Sequence, residues 1–514
     1  MGNRTDAQVI VVGGGPVGML VAAELAGRGV DTLVFETRAA VSERPKATTL
    51  HARTAQCLAR RGYDVEATLC DQGPDAPAGE VTMPFHFAGM PGLSITAPAT
   101  EPRPILKVPQ ARLERMFEAR AHKEGVRILR EHAVTGLVQD DDGVRVDVEG
   151  PGGRDTYTAA YAVGADGARG TVRAWAGIAS DTFPATVLAL MGLVRLEERH
   201  AVPVGWHRTP RGWIIAKDGP DGMTHLRTLS AARAGTDRHR PLTMEEFSRE
   251  ATWIAGRDIA MTASRWLSRF SDFARLARSY RAGRVFLAGD AAHVHFPVGG
   301  QGLSTGLLDA LNLGWKLALA VRGTAGDGLL DTYDLERRPA AQRVIDNTRA
   351  QVALMRPDPG LDPVRQLIGG LLDSGQGNDY LGAMISAQDT VLPSRTRSRS
   401  SWEGTFLYNV GLTTADGSTD VVELLREGKL LLLLSGEGGS GYAETARGWA
   451  QALRVVRCAP TAALPCAALL VRPDGYIAWT PDSGELGGVL TEYLGPAGAC
   501  SRICDAALRP AALL

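Results

Sequence analysis

The stretch from Gln8 to Glu36, QVIVVGGGPVGMLVAAELAGRGVDTLVFE, decides how the rest of the chain is read. Val9 to Val12 is a short aliphatic run that leads straight into Gly13, Gly15 and Gly18 at GxGxxG spacing. The pattern predicts a strand, a tight turn and a helix from Pro16 to Gly27, with Leu20, Leu25 and the neighbouring alanines on its buried face. In such a turn the first glycine permits the bend, the second lets a pyrophosphate approach the backbone, and the third lets the helix pack against its strand. Pro16 and Val17, as the opening residues of the helix, belong to the same candidate phosphate contact, because a helix N-terminus favours an anion. Thr32 to Phe35 reads as a second strand ending in Glu36, a carboxylate placed to accept hydrogen bonds from a ribose diol, with Thr37 and Arg38 beside it. Strand, turn, helix and distant acid together predict dinucleotide binding. The glycine pattern alone does not choose between NAD and FAD.

At 514 residues the chain is too long for one core, and two to four domains are expected. The 56 basic and 57 acidic side chains are interspersed with no basic stripe, so nucleic acid is not an expected partner. Met1 to Asp6 is polar, without the apolar core of a secretory signal, and Asp6 stands where a myristoylation motif needs Ser or Thr. The longest aliphatic run, Leu430 to Leu434, is too short to span a bilayer and reads as a buried strand. A soluble cytoplasmic protein without a membrane partner is expected. The six cysteines, Cys57, Cys70, Cys458, Cys466, Cys500 and Cys504, form no CxxC pair and no zinc spacing, so they read as buried small hydrophobes and no metal is expected.

Beyond Glu36, a loop carrying Arg44, Lys46 and Arg53 feeds a helix from Thr54 to Arg61. Arg53 is well placed to meet a pyrophosphate or an electron-rich ring, though the same position suits a solvated loop charge. The Pro- and Gly-rich segment 74–104 reads as a hairpin excursion, and Val108-Pro109-Gln110 opens an amphipathic helix to Lys123. Strands are expected at Val126–Leu129, Ala133–Gln139, Val144–Val148 and Tyr161–Gly164, the last ending in Asp166-Gly167, a place for a cofactor hydroxyl and equally an ordinary turn. Strands at Val187–Leu196, Val202–Trp206, Trp213–Lys217, Met223–Ser230 and Asp258–Trp266, with a helix near Thr243–Ala255, predict an antiparallel sheet. Trp206, Trp213 and Trp266 then form an apolar wall for a flat ligand, or simple core packing.

The second organising stretch is Gly283 to Leu319. A strand at Arg284–Ala288 ends in Gly289-Asp290, where open α/β sheets bind ligands. Pro297-Val-Gly-Gly-Gln-Gly302 then enters a helix with Leu303, Leu307 and Leu311 on one side, and its amides suit a group that becomes anionic. Asp331–Arg349 is expected as a charged helix, 355–388 as broken helix and Leu392–Ser401 as a linker. A small α/β unit follows.

Taken together, the glycine fingerprint, the Asp166-Gly167 pair and Gly289-Asp290 with the Pro297–Gly302 loop, in this order, resemble the class A FAD-dependent aromatic hydroxylases, most of all those that tailor aromatic polyketides. The resemblance implies an α/β fold: a Rossmann-like FAD-binding domain at 1–181 and 276–391, a β-sheet substrate domain at 182–275, and a thioredoxin-like domain at 400–514. It implies FAD as cofactor, NADPH or NADH as transient reductant, and O2 and a polycyclic aromatic molecule as partners, with self-association into a homodimer left open. Oxygen would be delivered through a flavin C4a-hydroperoxide. Glu36 would bind the adenosine ribose, Gln110 the flavin, Asp166 both FAD and the reductant, and Asp290 the ribityl chain. Pro297, Gly300, Gln301, Gly302, Leu303 and Ser304 would run past the ring system. Phe296, Pro297, Trp206, Trp213 and His225 are the expected substrate contacts, and Arg53 the expected electrostatic helper. Two departures stand out: Lys46 where the family often has Arg, and Ser304 where it usually has Asn. No secure base emerges among His51, His207 and His225. Baeyer–Villiger insertion by the same cycle, and a flavin-binding protein without turnover, are the alternatives.

Overall fold

The structure, a computed structural model, describes residues 5–44, 46–66, 79–230, 240–395, 400–436 and 439–498. Cys70, Cys500, Cys504, Arg397, Arg399, the opening of the 74–104 excursion and residues 1–4 lie outside the described residues.

The strand Ala7–Val12 sits at the centre of the first sheet, parallel to Thr32–Glu36 on one side and to the end of Gly153–Gly164 on the other. Val285–Leu287 and Arg127–Arg130 extend the sheet in parallel at its two flanks. Val9, Ile10 and Val11 are wholly buried, as a run covered on both faces must be. Helices Pro16–Ala26 and Gly302–Val321 pack against each other over this sheet, so both helix starts meet the carboxyl ends of its strands. The strand expected at Tyr161 begins earlier, at Gly153. Its polar first half pairs antiparallel with Val144–Gly150 and only its apolar end enters the parallel sheet.

A second, five-stranded antiparallel sheet runs in the order Gly205–Thr209, Gly212–Asp218, Thr224–Ser230, Leu188–Leu196, Met261–Ser271. One face, with Leu188, Leu190, Ile214 and Leu226, packs on Phe247, Ala251 and Ile254 of the helix Met244–Ala255. That helix starts where the Thr243 hydroxyl accepts from the Glu246 amide and stops at Gly256, whose φ of 70° ends it in the left-handed region. The other face looks toward the first sheet. The strand expected at Val202–Trp206 lies at Gly205–Thr209 instead, because Ala201 and Val202 turn into the helix-covered core.

Asp331–Met355 is one helix that accommodates Pro339, and Asp362–Asp373 and Gly375–Ser386 follow it. The terminal unit holds a six-stranded sheet with Leu430–Ser435 inside it. Leu430, Leu432 and Leu434 face Trp479, Leu490 and Trp315 of the Gly302–Val321 helix, while Leu431 and Leu433 face Leu412, Leu424 and Leu425. No helix of the described residues is long and apolar enough to cross a membrane.

The terminal unit is keyed to the rest by buried ions. Arg472 reaches Glu336 and Asp474 (2.8 and 2.6 Å), and Glu336 also takes Lys316 (2.8 Å). Arg60 pairs with Glu101 (2.7 Å) and donates to the Leu407 carbonyl. Arg61 pairs with Glu24 (2.9 Å) and donates to the Leu425 carbonyl.

Candidate active site

A cavity of about 2260 Å³ lies between the strand ends of the first sheet and the inner face of the second. Its far end is walled by Gly13, Gly15, Pro16 and Val17 of the glycine turn and by Glu36, Thr37 and Arg38. Gly13 has a φ of 104°, and a Cβ there would stand 2.4 Å from the Ala165 carbonyl oxygen. A Cβ on Gly18 would stand 1.9 Å from the Gly13 oxygen, so Gly18 is a packing residue beneath the wall. Gly15 differs from both: a Cβ there meets no protein atom within 4 Å and would project into the open space. The Glu36 carboxylate accepts from the Gly14 amide (2.7 Å), the Arg38 amide (2.9 Å) and the Thr37 hydroxyl (3.3 Å), which fixes it at the strand end.

Midway along, Lys46, Gln110, Asp166 and Asp290 reach the wall. One Asp166 oxygen accepts from the Thr171 and Val172 amides (2.7 and 3.0 Å), and the other is buried with no partner among the described residues. An orphaned acceptor in this position is ready for a ligand hydroxyl. Burial raises the pKa of Asp166, and likewise that of Asp290, which is open to the cavity but surrounded by its walls.

The near end is the turn Pro297–Gly300 followed by Gly302 and Leu303. Gly299 and Gly300 have φ of 75° and 64°, a left-handed pair that side chains disfavour. The His51 ring bonds the Gly299 carbonyl (2.7 Å) from behind. Burial pushes the His51 pKa down to about 4, so the ring is neutral near neutrality and Nε2 is the donor to that oxygen. The Ser304 hydroxyl accepts from the His51 amide (3.1 Å), and Gln301 accepts from Asn347 (3.2 Å), so both side chains turn away from the cavity. Gly289 is packed against Val17 behind the wall.

The chamber beyond this turn is aromatic. Trp206, Trp266, Phe270, Phe85 and His86 line it, with His86 stacked on Phe85 (4.7 Å) and tilted on Trp206 (4.6 Å). Trp213 and Phe296 stand one layer back. Trp213 supports Trp206 edge-on (6.1 Å) with its indole N–H on the Met355 carbonyl, and Phe296 supports Phe270 (5.5 Å). His225 packs beside Trp266 (6.2 Å) outside the lining, while His51 lies behind the glycine turn and His207 bonds the Pro203 carbonyl.

Arg53 is a correction. It is 1% exposed and its guanidinium lies 3.6 Å from the Phe406 ring centroid, donating to Gln56 and to the Gln388 carbonyl. In the first turn of the helix Ala52–Arg60 it faces the terminal unit, so it is no helper at the site. Sequence reading passed over Phe85, His86, Lys107 and Arg227; a Phe-His-Phe run inside a Pro- and Gly-rich excursion was the available signal for the first two.

Fold and cavity define a dinucleotide-binding protein with an aromatic chamber opening off the coenzyme groove. Residues 6–348 match the family model for an FAD binding domain, and residues 400–497 match that for the C-terminal part of aromatic-ring hydroxylases. The chain belongs to the class A FAD-dependent aromatic hydroxylases, a family of monooxygenases. It is 37% identical over 510 residues to a 12-dehydrotetracycline 5-monooxygenase/anhydrotetracycline 6-monooxygenase of Streptomyces rimosus subsp. rimosus, covering 95% of this chain and 99% of that one. Among solved structures it is similar to CabE, an aromatic hydroxylase from angucycline biosynthesis (TM-score 0.85, 34% identity, 96% of this chain and 100% of that one). It is also similar to PyrE3, a Diels-Alderase in the biosynthetic pathway of pyrroindomycins (TM-score 0.82, 33% identity, 96% and 100%). The space over Gly15, the orphaned Asp166 oxygen and the left-handed glycine pair fit FAD as its cofactor.

Proposed function

We propose that this protein hydroxylates a polycyclic aromatic polyketide, using FAD as cofactor, NADPH as reductant and O2 as oxidant. The observation that carries the reading is the continuity of the cavity from the glycine turn and Glu36, past Asp166 and Asp290, into the chamber of Trp206, Trp266 and Phe270. FAD, when bound, supplies electron transfer and oxygen activation. The chain supplies the rest. The Gly13–Gly18 turn and the start of the helix Pro16–Ala26 receive the pyrophosphate, Glu36 the ribose, and Asp166 and Asp290 the remaining hydroxyls. The amides of the Pro297–Gly300 turn and the positive end of the helix Gly302–Val321 would favour negative charge on a ring system held against them. The indoles and Phe270 hold a flat substrate against that turn and exclude water from it.

The terminal unit, with Leu430–Ser435 parallel to Leu453–Cys458 and antiparallel to Ala468–Val471, which pairs in turn with Ile477–Trp479, supports a thioredoxin-like reading. Its sequence has no CxxC, and its part is to brace the helices that carry the site. A reaction that consumes NADPH belongs in the cytoplasm.

The likeness to PyrE3 favours one second reading: ring formation in the same chamber without electron transfer. The test supplies purified protein and FAD with NADPH and a panel of tetracyclic phenols, recording NADPH loss and product mass together. Hydroxylation adds one oxygen and leaves the ring skeleton unchanged, Baeyer–Villiger insertion adds one oxygen and enlarges a ring, and cyclisation leaves the mass unchanged. NADPH loss without a product that has gained oxygen, for every phenol in the panel, would refute the proposal.

A further inference from the structure

The floor of the aromatic chamber carries a cation that the fold itself does not use. Arg227 lies on the middle strand of the second sheet, opposite Ile215 on one neighbour and Met191 on the other. Further out along the same rung, Ile215 stands opposite Trp206 and Met191 opposite Ser268. Residues on one rung share a face, and Trp206, Arg227, Met191 and Ser268 all line the cavity. Arg227 therefore stands on the chamber floor, flanked by Ile215 and Met191 with Trp206 one strand further out. The opposite face is filled by the helix Met244–Ala255, which leaves it no other way to turn.

Other arginines on this sheet have partners. Arg265 pairs with Asp221, Arg269 with Glu246 (2.8 Å) and Arg208 with Asp362 (2.7 Å). Arg227 makes no hydrogen bond or ion pair among the described residues. Among the described residues, the charged and titratable groups around it are Lys217 and His225 on its own sheet, Arg265 and Arg269 on the edge strand of that sheet, and Lys107 and His86 on the excursion side, and none of these is acidic. The carboxylates on the cavity wall, Glu36, Glu43, Asp166 and Asp290, belong to the strand ends and loops of the coenzyme end. Arg227 is itself open to the cavity, and enclosure by the chamber walls with no opposing acid lowers its pKa. Among the described residues the chamber also lacks a good base: burial pushes both His86 and His295, which line the cavity, down to about 4, and His51, His207 and His225 do not line it.

We infer that Arg227 binds an ionised oxygen conjugated with the substrate's ring, a phenolate or enolate, so that the aromatic substrate is taken up as its anion. This rests on reading the cavity as the substrate chamber of an aromatic monooxygenase. The step is an ionisation: the phenolic O–H breaks, its proton leaves to solvent, and the oxyanion accepts from the guanidinium, whose fork also matches a neighbouring carbonyl oxygen. Electron density released into the ring then makes a carbon more nucleophilic without any protein base.

The test uses the FAD-loaded protein and three flat probes: 2-hydroxyanthraquinone, its methyl ether, and anthraquinone-2-carboxylate. Binding is read from flavin fluorescence, and ionisation from the visible band of the hydroxyl probe. The expected result is that the bound hydroxyl probe ionises about one pH unit or more below the free probe, corresponding to about ten-fold preference for the anion. Arg227→Gln should abolish that displacement and weaken the anion about ten-fold, with FAD content and binding of the methyl ether unchanged, and Arg227→Lys should restore part of it. Three results overturn the inference: no displacement in the wild type, the same displacement in Arg227→Gln, or an Arg227→Gln effect confined to the carboxylate. Failure of any probe to bind the wild type also overturns it. If Arg227→Gln changes nothing while phenols are still hydroxylated, the inference falls and the monooxygenase reading stands; if the displacement is present but no phenol gains oxygen, the reverse holds.

Discussion

Gly13, Gly15 and Gly18 share one motif but have two different physical reasons to be glycine. Gly13 and Gly18 would drive a Cβ into backbone oxygens at 2.4 and 1.9 Å, whereas Gly15 would place it in empty cavity. Gly15→Ala is therefore expected to leave the thermal unfolding of the apo-protein within about 1 kcal/mol of wild type while weakening FAD binding about ten-fold or more. Gly18→Ala should lower the unfolding temperature itself, which the same melting curves report. The spacing announced the turn but not this division of labour, since the three glycines look alike until Ala165 is brought beside them. Arg53 was misread for a similar reason: a basic residue ahead of a helix looks like a ligand for phosphate, and the sequence gives no hint that Gln388 and Phe406 will enclose it. Arg227 went unnoticed because an arginine in an alternating strand is ordinary, and only the rung that joins it to Trp206 and Met191 gives it meaning.

At the scale of elements, the short strand Thr49–His51 holds the Pro297–Gly300 turn in place. Its last residue donates through the ring to the Gly299 carbonyl, and its amide meets the Ser304 hydroxyl. His51→Ala should leave FAD bound but shift its visible spectrum and lower kcat, at a cost of about 1–3 kcal/mol for an unpaired buried carbonyl. With its pKa near 4, His51 stays neutral through the neutral range, so the wild-type kcat profile should show no inflection from it there. The parallel strands and their helices were legible because continuous apolar runs and glycine turns report them directly. The start of Gly153–Gly164 was not, because its exposed polar half pairs only with the neighbouring hairpin strand. The Leu392–Ser401 segment reads as linker by composition, yet Leu392 and Ser400 are buried, since the Leu392 amide donates to Gly404.

For the whole molecule, the ion clusters beneath the terminal unit make it part of the coenzyme domain's core. Glu336 alone takes Arg472, Lys316 and Asn312, which hold its carboxyl well below the usual range although burial opposes them. Arg472→Met would leave the Glu336 and Asp474 carboxylates facing each other in the interior, and about 3–5 kcal/mol of stability should be lost in denaturant unfolding. Glu24 gives the acid limit. Burial would raise its pKa, but Arg61 and Arg28 outweigh burial and lower it from 4.5 to about 2. Its contribution is thus complete above pH 4.5 and lost as pH falls toward 2, on the order of 3 kcal/mol in all. Thermal unfolding should weaken across that window, and Glu24→Gln should flatten the loss.

The account as a whole depends on one cavity serving both coenzyme and aromatic ring, with the coenzyme end built by segments almost three hundred residues apart in sequence, at Gly13 and Gly300. Titrating apo-protein with FAD, in parallel with Gly15→Ala, tests this most directly. The account predicts saturable uptake at about micromolar FAD or below by the wild type, with a structured flavin spectrum, and marked loss in the variant. A wild type that stays colourless at those concentrations, or a variant that takes up FAD equally well, would contradict it.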